Sequence, residues 1–421
     1  MDTSLSTPRV LLCAYQCAPR GESVSQIGWQ WYINLSKLVP VTLVTHIRNK
    51  IALEEVGAPF LNTEIIFIDT EWFAGPLYRM AVKLFPRSEH AAFLISSLDT
   101  YVYDYTAVKL LKLKQKVYHW NIVHVPTPVS PKIATRLHSL NLPLVLGPWN
   151  GNMPNPRNFS EIMRADSSWL YPIRNLARIP QWLYGTLGNA EAILVATEAT
   201  FKGIPKSYHH KCIKMIENGV VPALFKEEPW PDFPSKLIPL KIVYVGRLVP
   251  FKGVAMLLQA VATAIKNINI QLDIVGEGSQ RAELENMAKQ IGIHSNVFFH
   301  GALTSMQVAE KLKYSHALCL PSVRESGGAV LLEAMSVGRP VIALNFGGPA
   351  EIVTDDVGKL IPMTNWGGVV KSLAGCFEDI VKQPEQWKKK AMFCRKISEN
   401  NFSWTSKIQQ AIMLYRKILS K

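Results

Sequence analysis

The chain has 421 residues, of which 48% are hydrophobic and 19% are charged. This length predicts two or three domains, and the composition excludes a disordered or fibrous protein. Lysine and arginine number 46 against 32 aspartates and glutamates, which gives a formal net charge of +14. The surplus favours anionic partners, such as phosphate-bearing ligands, nucleic acid or an acidic membrane surface.

The sequence lacks the patterns of a membrane span and of a secretory leader. The longest uncharged stretch, between Arg136 and Arg157, is interrupted by four prolines, and the first ten residues have no apolar core. Six cysteines are sparse for this length, and Cys13 and Cys17 have no second close pair that would complete a zinc site. We expect reduced, mostly buried thiols in a cytosolic protein.

The first half alternates short apolar runs with amphipathic segments, which is typical of βα units and parallel sheets. The runs that predict strands are 9–15, 41–47, 64–69, 121–127, 142–148, 192–197 and 214–220. Residues 222–240 contain five prolines and no helical period, so they predict a linker between domains.

The second half repeats the alternation more regularly. Strands are predicted at 241–248, 271–276, 296–301, 316–322 and 340–346, and helices follow each of them. A last amphipathic helix is predicted at 404–419. The chain is therefore predicted to be an α/β protein with two doubly wound domains, whose facing strand ends would form a ligand crevice.

Residues 321–353 are the most informative stretch. A strand ends at Pro321, Glu325 follows, and Gly327 and Gly328 open a helix that carries Glu333. Glycines at a helix start let a ligand approach backbone N–H groups at the positive end of the helix dipole. The two glutamates could hold two hydroxyl clusters of one extended ligand. Either glutamate alone is more often a cap or a solvated helix residue.

A second motif, GRLVPFKG at 246–253, places Arg247 and Lys252 between a strand end and a helix start. Two cations there suit a diphosphate, which needs charge neutralisation most when it departs. Each cation alone could be an ordinary surface residue. Together with Glu325, the two glycines and Glu333 in this order, they favour a binding site.

These residues resemble the retaining glycosyltransferases of family 4. The resemblance rests on Arg247, Lys252, the E-x7-E pair Glu325 and Glu333, and GGPAEIV after a strand. In the first half it is carried by residues 20–31, 147–151 and 218–220. It implies the GT-B fold, two Rossmann-like doubly wound domains facing a cleft. The implied parts are an acceptor-binding domain at 1–221, the linker at 222–240, a nucleotide-sugar-binding domain at 241–398, and a C-terminal helix at 399–421 that crosses back to the first domain.

The resemblance also implies residue roles. Arg247 and Lys252 would hold the donor diphosphate, Glu325 would contact donor-sugar hydroxyls near the reacting carbon, and Glu333 would bind the ribose. The implied donor contacts also include Gly28, from the other domain, and Ser326, Gly327, Gly328, Glu277 and Asn218. The donor would be a UDP- or GDP-sugar, with no metal and no other cofactor. GEGSQR at 276–281 starts like a dinucleotide fingerprint, but Arg281 stands where its third glycine should be.

Two positions depart from the family pattern. Ser326 stands where Phe is frequent, and Pro126 stands where many members carry a second histidine after His124. His124 could contact the sugar or acceptor, or be a hydrogen-bonded histidine of the core. These departures leave open whether the donor sugar is held as in relatives.

Two stretches, 72–105 and 157–188, mix aromatic and basic residues. The first includes Arg79, Lys83 and Arg87, and the second includes Trp169, Tyr171, Trp182 and Tyr184. They suit an anionic lipid interface, or they form ordinary amphipathic helices that face the core. The lysines are dispersed and no nucleic-acid module occurs, so we expect no nucleic-acid partner.

We therefore predict a retaining, metal-independent glycosyltransferase that moves a sugar from a nucleotide-diphosphate donor to a hydroxyl of a glycan or lipid-linked acceptor. It would act in cell-envelope polysaccharide or glycolipid synthesis, in the cytoplasm or peripherally on the inner face of the membrane. Two alternatives remain, a GT-B sugar-nucleotide epimerase and a catalytically silent glycosyltransferase-like binding subunit.

Overall fold

The computed structural model describes residues 7–19, 23–57, 63–84, 95–160, 162 and 178–421. These residues fall into two units. Unit 1 is formed within Met1–Asn152, Ser167–Glu217 and Trp404–Lys421, and unit 2 within Met153–Asp166 and Asn218–Ser403. The predicted residues Arg87, Trp169 and Tyr171 lie outside the described part of the chain.

Unit 1 is built on a parallel sheet of seven strands in the order β3-β2-β1-β4-β5-β6-β7. The strands are β1 (Val10–Ala14), β2 (Val41–His46), β3 (Thr63–Ile68), β4 (Ile122–Thr127), β5 (Leu144–Trp149), β6 (Ala192–Val195) and β7 (Cys212–Lys214). Every residue of β1, β2, β4, β5 and β6 is buried. Strands buried on both faces read as unbroken apolar runs, which is why the sequence reveals them.

Helices cover this sheet. They are α1 (Ser23–Leu35), α2 (Lys50–Glu54), α3 (Glu71–Leu84), α4 (Asp99–Tyr118), α5 (Arg178–Leu183), α6 (Glu198–Gly203) and the C-terminal helix α14 (Trp404–Leu419). Short 3-10 turns lie at Ile47–Asn49, Leu137–Leu140 and Lys206–Lys211. Helix α14 packs against α1, and the ring of its Trp404 lies edge-on to Trp31 at 6.1 Å between centroids.

Unit 2 is built on a parallel sheet of six strands in the order β10-β9-β8-β11-β12-β13. The strands are β8 (Leu240–Val245), β9 (Ile270–Val275), β10 (Val297–Gly301), β11 (Ala317–Leu320), β12 (Val341–Leu344) and β13 (Gly358–Ile361). The strand order reverses between β8 and β11. In open parallel sheets this switch point is where the loops leave a ligand crevice.

The helices of unit 2 alternate with its strands. They are α7 (Val254–Ala264), α8 (Arg281–Gln290), α9 (Ser305–Lys313), α10 (Ala329–Val337), α11 (Gly348–Ile352), α12 (Trp366–Lys382) and α13 (Pro384–Ile397), with 3-10 turns at Arg157–Phe159 and Pro250–Lys252 and a π-turn at Ser398–Phe402. Among the described residues, no helix has the length and apolar character of a bilayer span.

The Pro-rich segment 222–240 is fastened to unit 2 by two buried side chains. The Arg339 guanidinium donates hydrogen bonds to the carbonyls of Glu228 and Pro229, at 3.0 and 2.8 Å. The His316 ring bonds to the carbonyl of Asp232 at 2.9 Å. These two side chains satisfy three carbonyl groups of the segment. The segment is therefore part of the surface of unit 2 rather than a free tether.

The two-sheet α/β architecture confirms the predicted fold class. Most predicted strands lie within two residues of the observed ones, but the prediction at 214–220 is wrong. Strand β7 ends at Lys214, because only Cys212–Lys214 pair with β6 before the chain enters unit 2. Strand β13 was not predicted, since its four residues, GKLI, carry too short an apolar run.

Candidate functional site

The loops after β8 and β11 meet at the switch point of unit 2. Strand β8 leads into Gly246 and Arg247, and a 3-10 turn follows that ends at Lys252. Strand β11 leads into the loop that carries Glu325 and opens helix α10. A backbone bond from Val323 N–H to the Phe251 carbonyl, at 2.9 Å, joins the two loops. The sheet order thus brings together two motifs that are 73 residues apart in the chain.

Lys252 and Glu325 form an ion pair, in which Nζ donates a short hydrogen bond to Oε2. The two side chains are only 14% and 13% exposed, so the pair is largely shielded from water. The second carboxylate oxygen, Oε1, lies 3.4 Å from the N–H of Gly328, at the start of helix α10. A cation and the positive end of a helix therefore face the same carboxylate, an arrangement that suits anions.

Two glycines allow the loops to come this close. Gly253 has φ of 71°, a left-handed conformation, and a Cβ there would lie 2.2 Å from the Pro321 carbonyl oxygen. Gly348 donates its N–H to the Glu325 carbonyl at 2.9 Å. A Cβ on Gly348 would lie 2.1 Å from the Ser326 carbonyl oxygen. The glycine pair after β12, Gly347 and Gly348, thus fixes the position of the Glu325 backbone.

Arg247 is exposed on the same turn. Its guanidinium carbon lies 6.0 Å from the centroid of the Phe251 ring, and Lys252 Nζ lies 5.8 Å from that ring. Beneath the turn, the buried Tyr244 hydroxyl donates a hydrogen bond to the Arg247 carbonyl at 2.8 Å. The site therefore presents two cations on one rigid turn, and Tyr244 is a supporting residue that the sequence reasoning missed. Only its position three residues before the arginine could have indicated it.

Glu333 lies on helix α10, two turns after its start. The side chain is half-buried, and among the described residues its carboxyl group has no hydrogen-bond or ion-pair partner. Burial raises the pKa of Glu333 from 4.5 to about 7. An unpaired carboxyl in such a place can hold its charge more easily when a ligand supplies hydroxyl donors.

Three of the other predicted donor contacts are less closely tied to this pair. Glu277 is exposed and forms an ion pair with Arg281, although its carbonyl accepts from the Leu248 N–H at 2.8 Å, beside Arg247. Ser326 is exposed next to Glu325. Asn218 is half-buried and is the first residue of the longer segment of unit 2, Asn218–Ser403. Gly327 and Gly328 are buried in the loop itself.

Gly28 and His124 belong to unit 1. Gly28 lies within α1, where a Cβ would come 2.1 Å from the Gln16 carbonyl oxygen, so it permits close packing of the helix on the loop after β1. His124 is fully buried, and its ring bonds to the Gly147 carbonyl at 2.6 Å and to the Tyr415 hydroxyl at 2.7 Å. Burial lowers the pKa of His124 to about 4, so its ring is neutral at pH 7.

The surroundings of His124 support the core alternative. A carbonyl can only accept, so Nε2 carries the proton and Nδ1 accepts from Tyr415. Both ring nitrogens are then used within unit 1, and neither is directed to a ligand. The contact fastens helix α14 to strand β4.

Comparison with known proteins relates unit 2 to a protein family. A family model described as Glycosyl transferases group 1 matches residues 230–392, which contain Arg247, Lys252, Glu325 and Glu333. Two solved structures match nearly the whole fold. They are a glycosyltransferase from Rickettsia africae (TM-score 0.66, 15% identity, covering 98% of this chain and 99% of that one) and HepE from Anabaena in complex with UDP (TM-score 0.65, 16% identity, covering 97% and 100%). The fold is GT-B.

The sequence relatives are glycosyltransferases. A phosphatidyl-myo-inositol mannosyltransferase from Mycolicibacterium smegmatis is 29% identical over 209 residues, which cover 44% of this chain and 53% of the relative. This chain spans 30–53% of the length of the first two curated relatives it matches. The residues that the family model matches all belong to the unit that holds the Lys252–Glu325 pair.

Proposed function

We propose that the protein is a retaining glycosyltransferase of family 4, which moves a sugar from a nucleoside diphosphate sugar to a hydroxyl group. The observation that carries the proposal is the Lys252–Glu325 pair at the switch point of unit 2, beside Arg247 and the start of helix α10. It lies within the part of the chain that matches the glycosyltransferase model. The solved structure of HepE with UDP supports a nucleotide donor.

In this proposal the diphosphate binds to Lys252, Arg247 and the N–H groups at the start of α10. The bond between the sugar carbon and the phosphate oxygen breaks, and the acceptor oxygen bonds to that carbon from the same face. The leaving phosphate oxygen takes the acceptor proton, so no separate base is required. The two cations stabilise the charge that develops on the departing diphosphate, which is the charge that a metal ion would otherwise balance.

Within the same proposal, Glu325 accepts hydrogen bonds from donor-sugar hydroxyls and Glu333 binds the ribose. The carboxyl of Glu333 supports this role, because ribose hydroxyls would satisfy a group that has no partner among the residues that the structure describes. Ser326, Gly327, Gly328, Glu277, Asn218 and Gly28 are further proposed donor contacts. The two units are proposed as the acceptor-binding and donor-binding domains.

The test is a panel of UDP- and GDP-sugars. The correct donor should raise the melting temperature, because a ligand at 100 times its Kd stabilises by about 2.7 kcal/mol. Release of nucleoside diphosphate with an acceptor, and an anomeric configuration unchanged by NMR, would then establish retaining transfer. Activity should survive EDTA. Stabilisation by none of the sugar nucleotides would contradict the proposal.

The same panel separates the two alternatives. An epimerase would convert the sugar nucleotide into its epimer without an acceptor, and a silent subunit would bind it without turnover. The presence of the whole residue set favours an active enzyme over a silent subunit; the set is Arg247, Lys252, Glu325 and Glu333.

We further propose a lipid-linked or glycan acceptor in cell-envelope synthesis, reached at the cytoplasmic face of a membrane. Helix α3 supports this, because it buries Ala74, Leu77 and Ala81 and yet exposes several apolar residues over the rest of its surface. Those exposed residues are Trp72, Tyr78, Met80, Val82 and Leu84. Arg79 and Lys83 are exposed beside them. All six cysteines are free, which fits a reducing compartment.

A further inference from the structure

The Lys252–Glu325 ion pair occupies the place that the proposed function gives to the donor diphosphate. The ammonium group that should bind a phosphate already binds a carboxylate. The helix N–H that should face the ligand already faces Glu325 Oε1, at 3.4 Å. The unliganded site thus carries an anion of its own.

We infer that Glu325 is the resident counter-ion of Lys252 and that the donor diphosphate binds by displacing it. This inference rests on the proposed function, since it concerns the same site. Phosphate oxygens take over Lys252, and the released carboxylate becomes free to accept hydrogen bonds from the donor sugar. Binding of the diphosphate thereby makes Glu325 available to the sugar.

The geometry supports displacement rather than simple coexistence. The two side chains are 14% and 13% exposed, so little water can replace a lost partner. Glu325 is also held by its backbone, because the Gly348 N–H donates a hydrogen bond to its carbonyl and helix α10 starts four residues later. The carboxylate can turn about its side-chain bonds while its Cα stays in place. Arg247 is exposed in the same loop after β8 and can receive the other phosphate.

Displacement makes an unusual prediction about affinity. Glu325→Gln removes the competing charge, so it should tighten binding of the bare nucleoside diphosphate about tenfold, even though it impairs sugar transfer. A residue that only binds the sugar would leave the affinity for the bare nucleotide unchanged. Lys252→Ala should weaken the same affinity.

The experiment measures Kd by calorimetry for UDP and GDP, using whichever binds the wild-type protein. The matching nucleoside, uridine or guanosine, is the uncharged control ligand, and its affinity should not change in Glu325→Gln. Glu385→Gln is the control variant, because it removes one exposed negative charge from α13 in the same unit. Circular dichroism and melting temperature verify that each variant is folded.

A double-mutant cycle distinguishes displacement from general repulsion between Glu325 and phosphate. In the Lys252→Ala background, displacement predicts that Glu325→Gln tightens binding much less, because the ion pair is already absent and only the contact with the Gly328 N–H remains to be broken. An equal tightening with and without Lys252 would show repulsion and overturn the inference, as would unchanged or weaker binding in Glu325→Gln alone. If neither nucleotide binds the wild-type protein, the proposed function itself fails. If Lys252→Ala weakens binding and Glu325→Gln does not tighten it, only this inference fails.

Discussion

At the scale of single residues, the Lys252 ammonium group is the strongest candidate for a catalytic charge. Lys252→Ala removes a cation from the departing diphosphate, so we expect kcat to fall about 10²–10³-fold. The variant should still fold, because Lys252 ends a short 3-10 turn outside the apolar core, but loss of its ion pair with the largely buried Glu325 should lower the melting temperature. Steady-state kinetics on a variant with an unchanged circular dichroism spectrum checks this. Near-normal turnover would show that the assignment is wrong.

Glu333 has a different expected role from Glu325. Glu333→Gln should weaken binding of the bare nucleoside diphosphate, since the amide is a poorer acceptor for ribose hydroxyls than a carboxylate. Glu325→Gln should lower kcat and, by displacement, should tighten nucleotide binding. Calorimetry on the two variants separates the roles. Equal effects of both variants on nucleotide affinity would contradict the division.

The raised pKa of Glu333 also predicts a pH dependence of stability. Its folded pKa is about 7, whereas the ordinary value is 4.5, so the folded state holds the proton more tightly than the unfolded state. Stability should therefore fall as pH rises from about 4.5 to 7. Glu333→Gln lacks this ionisation and should be more stable than wild type at pH 8, by about 1–3 kcal/mol, with little difference at pH 4.5. Urea denaturation at both pH values measures it, and the same difference at each would exclude ionisation as its cause.

At the scale of secondary-structure elements, Gly28 makes a packing prediction about α1. Gly28→Ala would place a methyl group 2.1 Å from the Gln16 carbonyl oxygen, so the helix must shift away from the loop after β1. We expect a loss of about 1–3 kcal/mol in the free energy of unfolding. The matched control is Gly375→Ala within α12, where nothing lies within 4 Å of the new Cβ.

The control substitution should change the free energy of unfolding in the opposite direction. Alanine is favoured over glycine within a helix by about 1 kcal/mol, so Gly375→Ala should stabilise the protein slightly. Chemical denaturation of both variants compares the two effects on the same scale. If Gly28→Ala is as stable as Gly375→Ala, the close approach to Gln16 does not constrain α1.

The elements also show which features a sequence can reveal. Strand β8 and the residues Arg247 and Lys252 were predictable, because an apolar run followed by glycine and cations is a local pattern. The contact between Lys252 and Glu325 was not predictable, because it depends on β11 lying beside β8. The order of strands in a sheet cannot be derived from the sequence of either strand alone. The attachment of segment 222–240 likewise depends on Arg339, about 110 residues away. His124 was ambiguous because its two hydrogen-bond partners, the Gly147 carbonyl and the Tyr415 hydroxyl, are distant from it in the sequence.

At the scale of the whole molecule, the net charge of +14 can be tested for a role at a membrane. Helix α3 packs against α4, which adds Tyr105, Leu113 and Val117 to the exposed apolar residues. Lys109, Lys112 and Lys116 are exposed on the same helix. Each such cation near an anionic surface contributes about 1 kcal/mol, over a screening length of roughly 10 Å at 0.1 M salt. The α3–α4 face therefore suits reversible binding that salt weakens.

Co-sedimentation with vesicles tests this last prediction. Binding should rise with the fraction of phosphatidylglycerol in phosphatidylcholine and fall from 50 to 500 mM salt, on the order of tenfold or more. Replacing Arg79, Lys83 and Lys109 by Gln should weaken it strongly. The control replaces Lys289, Lys371 and Lys389, exposed lysines of unit 2, and lowers the net charge equally. If both triple variants lose binding equally, the charge acts without a defined face, and if wild type does not bind anionic vesicles at low salt, the membrane proposal is wrong.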